Sequence, residues 1–174
     1  GVAIVRAHYP FARAYELAEK LCANAKSVRR DKQDAGCWLD WHIGVARPGE
    51  PISDLRSRTL QTNGFQLTSR PYRLGNNVDD LGTWTWLSST VLGIGESGLR
   101  GPWWGRSRNK VKYLGGLVRH GPDAIRAALR AWQAVDERLT LPTGLDDSGF
   151  TGDRTPLLDA IELVDVHLPL GGES

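Results

Sequence analysis

The apolar positions of the first 45 residues follow three different periods. Gly1 to Arg6 (GVAIVR) is small, β-branched and apolar on both sides, the pattern of a strand covered on both faces. From Phe11 to Lys26 the apolar residues Phe11, Ala14, Tyr15, Ala18, Leu21, Cys22 and Ala25 recur at steps of three and four, which predicts an amphipathic helix. Pro10 stands near its start, where a missing N–H costs nothing, and Glu16 and Lys20 form an i,i+4 pair on the outer face. Cys37 to Val45 alternates: Cys37, Leu39, Trp41, Ile43 and Val45 on one face, Trp38, Asp40, His42 and Gly44 on the other, exposed one. The order is strand–helix–strand, a βαβ-type or split unit. Two strands and one helix cannot bury their apolar faces alone, so partner strands are expected from sequence upstream of Gly1 or from another chain.

The pattern is looser afterwards. Ser53 to Leu60 suits a short helix, and Phe65 to Leu74 an extended segment, with Pro71 at a sheet edge or past the sheet's end. From Asn77, a plausible N-cap, a helix is expected to run to Leu92, with one of Trp84 and Trp86 buried and the other at a contact. Gly93 to Gly101 reads as a loop. Gly121-Pro122 opens a helix with Ile125, Ala128, Leu129, Trp132 and Val135 on one face. Thr155-Pro156 caps a last helix over Leu157 to Val166. The expected class is α+β, with a sheet-bearing part (1–75) and a helical part (76–174).

Composition adds bounds. A chain of 174 residues with 40% hydrophobic content supports one core and a small appended subdomain. A net charge of +2 gives no global attraction to polyanions. Cys22 and Cys37 are too few for a disulfide scaffold and occupy apolar-face positions, so buried free thiols in a reducing, cytoplasmic setting are expected. No apolar run approaches the roughly 20 residues of a membrane span. The chain has no Met and opens in mid-strand, as a piece of a longer protein would.

Two groups of residues carry candidate chemistry. Lys26, Arg29 and Arg30 crowd the end of the first helix, where cations suit the helix dipole or hold an anion. Between Arg100 and Arg119 there are six Lys/Arg and no acid. Arg106, Arg108, Lys110 and Lys112, interleaved with Trp103, Trp104 and Tyr113, suit phosphate contact and base stacking on single-stranded RNA, or a solvated helix whose aromatics pack beneath it. His8, His42, His120 and His167 show no metal-ligand spacing with the cysteines. His42 and Asp40 are expected to form a polar contact on the exposed strand face.

The stretch GVAIVRAHYPFARAYELAEKLCANAK resembles the second half of a GGDEF-type palm: Gly1-Val2-Ala3 lies where such palms carry a Gly-Ile-Ala-like strand end, and Ala25-Lys26 where their helix closes. His8-Tyr9-Pro10 and Cys37-Trp38-Leu39-Asp40-Trp41-His42 make it more similar still to the palm of the large subunit of type III CRISPR effector complexes, the cyclic-oligoadenylate synthase. The resemblance covers residues 1 to about 75, and more weakly the remainder. It implies the second half of a ferredoxin-like palm sheet, ATP as substrate, Lys26 as a phosphate ligand with Arg29 and Arg30 nearby, and a place in prokaryotic antiviral defence. It also implies Mg²⁺ or Mn²⁺ held by carboxylates of a Gly-Gly-Asp-Asp hairpin upstream of Gly1, so that no catalytic residue lies in this chain. Partners would be that upstream half, RNA and other subunits of the effector complex. Asp79-Asp80, after Asn-Val, and Asp146-Asp147, after Gly-Leu, lack the Gly-Gly and flanking apolar strands of such a hairpin and read as ordinary helix-start or loop acids. Two other readings stand beside this one: an inactive palm that binds nucleotide or RNA and scaffolds a complex, and an unrelated α+β domain.

Overall fold

The computed structural model describes residues 1–75, 77 and 79–166. Strand β1 (Val2–Ile4) pairs in parallel with β3 (Trp41–Ile43), Val2 opposite Trp41 and Ile4 opposite Ile43. Helix α1 (Phe11–Asp31) makes the crossover, so the expected strand–helix–strand unit is present. Its details differ. Val2 is 43% exposed, so β1 is not covered on both faces. The buried side of α1 is Leu17, Leu21 and Ala25; Phe11 and Tyr15, expected in the stripe, are exposed with their rings 6.5 Å apart.

The single strand expected over Cys37 to Val45 is two. Strand β2 (Trp38–Leu39) pairs antiparallel with β6 (Tyr72–Arg73), whereas β3 belongs with β1. Asp40 sits at the break. Its carbonyl accepts the Val2 N–H at 2.9 Å, and its fully buried carboxylate accepts from Asn24 Nδ2 at 2.8 Å and from Arg56. Asp40 and His42 are therefore interior groups, not residents of an exposed face. Cys37 is exposed and Cys22 half-buried, which corrects the expectation of two buried thiols.

Helix α2 (Ile52–Thr59) forms as expected and places Leu55 against Leu17 and Leu21 in a small second core. The extended segment after it starts as a hairpin of β4 (Gln61–Thr62) and β5 (Phe65–Gln66). Its Asn63-Gly64 corner has positive φ at both residues, the geometry that short hairpins favour.

No helix starts at Asn77. Its side chain accepts the Asp79 N–H in a local turn, and Gly82 takes a φ of +76°. Helix α3 (Trp84–Trp86) begins only after Thr83, whose hydroxyl accepts the Trp86 N–H, and continues into a π-helical turn over Leu87–Val91. Trp86 is buried and Trp84 packs edge-on against Trp41, as expected of that pair. Then follow α4 (Pro102–Gly105), α5 (Arg108–Val118), α6 (Pro122–Gln133) and α7 (Leu157–Leu163). Val135 lies past the end of α6 and is 86% exposed, outside the expected apolar face. The N-cap of α7 is Pro156, one residue later than expected, and the helix ends at Leu163, short of Val166; the Thr155 hydroxyl just ahead of it accepts the Leu157 N–H and donates to the Gly149 carbonyl.

The fold is thus α+β, with small two-stranded sheets. The main core takes Trp41, Leu60, Leu67 and Tyr72 from one side of residue 75, and Trp86, Trp104, Leu114, Ile125 and Leu157 from the other. Among the described residues no helix is long and apolar enough to cross a membrane.

Candidate functional site

Helix α1 runs past Lys26 to Asp31, so Lys26 does not close it. Arg29 and Arg30 occupy the last turn, where their charge complements the dipole. Lys26 and Arg29 are three residues apart and share a face. Both line a groove of about 230 Å³ whose other walls include Gly1, Gly36, Cys37 and Trp38. Arg30 does not line it.

Each wall has a local cause. A Cβ at Gly1 would stand 2.2 Å from the Ala18 carbonyl oxygen and 2.4 Å from the Cys22 nitrogen, so glycine is what lets the start of β1 lie directly on the α1 backbone. The opposite wall is pinned by Asp34, which accepts from the Gly36 N–H at 2.9 Å, Trp38 Nε1 at 2.7 Å and Arg73 Nε at 2.8 Å. Those hydrogen bonds, the Gly36 one foremost, hold the Asp34 carboxyl below its usual value. Lys32 lies 5.3 Å from the Trp38 ring centroid and covers that wall. The groove therefore presents two exposed cations beside a hydrogen-bonded rim.

His42 lies outside this groove. Burial, with Arg70 and Arg56 adding to it, lowers its imidazole from the ordinary value to about 4, so it is neutral near pH 7. Among the described residues no three His, Cys, Asp or Glu side chains group as metal ligands. Asp79 and Asp80 lie in the turn before Thr83, whose hydroxyl donates to the Asp80 carbonyl. Asp146 accepts from the Ser148 N–H and hydroxyl, and Asp147 pairs with Arg126 at 3.0 Å. Asp79 and Asp80 enter their turn through backbone atoms, and Asp146 and Asp147 serve a turn and an ion pair.

The basic stretch is sorted into different surroundings. Trp104 has no exposed surface; its Nε1 donates to the Thr140 carbonyl at 2.9 Å and its ring packs edge-on against Trp132. It cannot stack on RNA, and its expected role is corrected to a core one. Trp103 is half-buried beside the Gly93–Gly101 loop. Lys110 lies 5.8 Å from the Trp132 ring, and Arg106 is exposed. Arg108 and Lys112 of that group line a common pocket.

Sequence reasoning missed Arg70, Asp159, Tyr72 and Glu162, which form a buried polar cluster joining the β6 region to α7. Asp159 and Glu162 sit three apart in a short apolar helix, the one signal that could have singled them out. Comparison with protein-family models returns no match for this chain, and comparison with curated proteins returns none either.

Proposed function

We propose that this chain is the phosphate-binding half of a palm-type nucleotidyltransferase or cyclase that makes cyclic or linear oligonucleotide signals from ATP in prokaryotic antiviral defence. The observation that carries the reading is the convergence of Lys26 and Arg29 on one groove, on the crossover helix of a parallel strand–helix–strand unit. In that position the two cations bind and orient the triphosphate, while Mg²⁺ or Mn²⁺, held by carboxylates upstream of Gly1, supplies charge for the transferring group. The half-palm expectation is also supported by what lies around β1. Among the described residues β1 pairs only with β3, and Val2 on it is exposed. Those features suit the addition of further strands from the upstream half or from another subunit.

Incubation of the full-length protein with ATP and Mg²⁺ or Mn²⁺, with chromatography of the products, tests the activity. Oligonucleotide products that disappear in Lys26→Ala are expected. Nucleotide binding without products would favour the inactive, scaffolding palm, and neither would remove the palm reading altogether.

A further inference from the structure

A second pocket, separate from the Lys26 groove, lies between α5, α7 and the Gly93–Gly101 loop, with a volume of about 310 Å³. That is the low end of the roughly 300–1,000 Å³ of small-ligand sites. Its floor is apolar: Leu99 and Val111 are buried, and Ile161 is brought close because Gly115 leaves room for it, a Cβ there standing 3.2 Å from the Ile161 side chain. Its rim is cationic. Arg108 and Lys112 are one turn apart on α5, and Arg100 faces them from the loop. None of the three has an ion pair or side-chain hydrogen bond among the described residues. Arg100 is held in place by its backbone, whose N–H donates to the Gly93 carbonyl at 3.2 Å, within a loop so tight that a Cβ at Gly101 would stand 1.8 Å from the Gly95 oxygen.

We propose that this pocket binds a nucleoside phosphate, with the base on the apolar floor and the phosphate among Arg100, Arg108 and Lys112. Three cations around one small space exceed what a single carboxylate needs and match a phosphate, which guanidinium groups grip in bidentate fashion. Asp165, the one acid at the rim, accepts from amino or imino groups on a base edge. The nucleotide can be free or part of a single-stranded RNA; both bring the same chemistry. The site does not depend on the Lys26 groove.

Fluorescence anisotropy of a labelled single-stranded RNA hexamer, with ATP as competitor, tests it on the whole protein. Arg108→Glu and Lys112→Glu should each weaken binding about tenfold and reduce the salt dependence, whereas Arg106→Glu, the same charge change outside the pocket, should stay within about twofold. Exposed positions leave folding intact, checked by circular dichroism. Displacement by ATP identifies free nucleotide as the ligand, and binding of RNA alone identifies the strand. Equal losses for Arg106→Glu and Arg108→Glu, or a Glu-rich peptide bound as tightly as the RNA, would overturn the proposal. Lys26→Ala should leave this binding unchanged whether or not the groove binds ATP.

Discussion

Arg70 Nε donates to Asp159 Oδ1 across 2.7 Å, joining residues 89 apart in sequence with neither side chain exposed. The polar atoms of the pair are well partnered, although the buried Trp41 Nε1 beside it has no hydrogen-bond partner among the described residues. Asp159 also accepts from the Ser69 N–H and the Tyr72 hydroxyl, both at 2.7 Å. Arg70 donates to the Trp41 carbonyl at 2.8 Å and to Glu162 at 2.5 Å, and its guanidinium stands 4.6 Å from the Trp41 ring centroid. Burial raises the Glu162 carboxyl, against the pull of Arg70, and burial beside Asp159 pushes the Tyr72 hydroxyl well above its usual value, so it remains a donor.

Such a cluster costs most when half of it is removed. Asp159→Ala should lower stability by about 3–5 kcal/mol, because it leaves the buried guanidinium with Glu162 as its one carboxylate and the Tyr72 hydroxyl without its acceptor. Arg70→Met combined with Asp159→Leu should cost clearly less than the sum of the single changes. Urea unfolding of the three variants measures this. A loss below about 1 kcal/mol for Asp159→Ala would show that the pair is wet and not a latch.

Stability should also fall in mild acid. The unfolded chain takes up the His42 proton near its ordinary value of 6.5, whereas the folded chain does so only at about 4. The contribution is therefore complete above about pH 7 and is lost as the pH falls through this window, by roughly 2–3 kcal/mol at its lower end. His42→Gln should flatten that part of the profile in chemical denaturation between pH 7.5 and 4. An unchanged slope would mean that another group titrates.

Two glycines of one loop should behave oppositely. Gly101→Ala drives a Cβ into the Gly95 carbonyl and should cost about 1–3 kcal/mol, since backbone must move. Gly95→Ala meets nothing within 4 Å and should be close to neutral, or slightly stabilising through a less flexible unfolded chain. Thermal melts compare them.

Within the cationic groove, Lys26→Ala should weaken ATP binding by about 1–3 kcal/mol through loss of a charge-assisted contact. Arg29→Ala should act in the same direction. Arg30→Ala, outside the groove, should leave affinity within about twofold, an effect of general charge only. Isothermal titration with ATP separates the three; equal effects would mean that the groove does not select the ligand.

The sequence by itself determined what local chemistry controls. The three-and-four spacing forms α1, the residues of β1 and β3 form its flanking strands, Asn63-Gly64 turns a hairpin that the sequence reading passed over, and Pro156 starts α7. Lys26, Arg29 and Arg30 were legible as a basic cluster at the helix end, but not that Lys26 and Arg29 share a face. Tertiary structure decided what covers each face. Periodicity shows that Asp40 and His42 share a side of a strand but not that Asn24 and Arg56 will close over Asp40. It cannot sort Trp103 from Trp104, because which ring is buried depends on Thr140 and Trp132, far along the chain. Nor does it extend α1 past Lys26, where Ser27 to Asp31 continue the helix without an apolar stripe. Arg70 and Asp159 were invisible as partners because each is an ordinary charged residue in its own segment. Only when α7 packs beside β6, and both lose water, does each become the other's requirement.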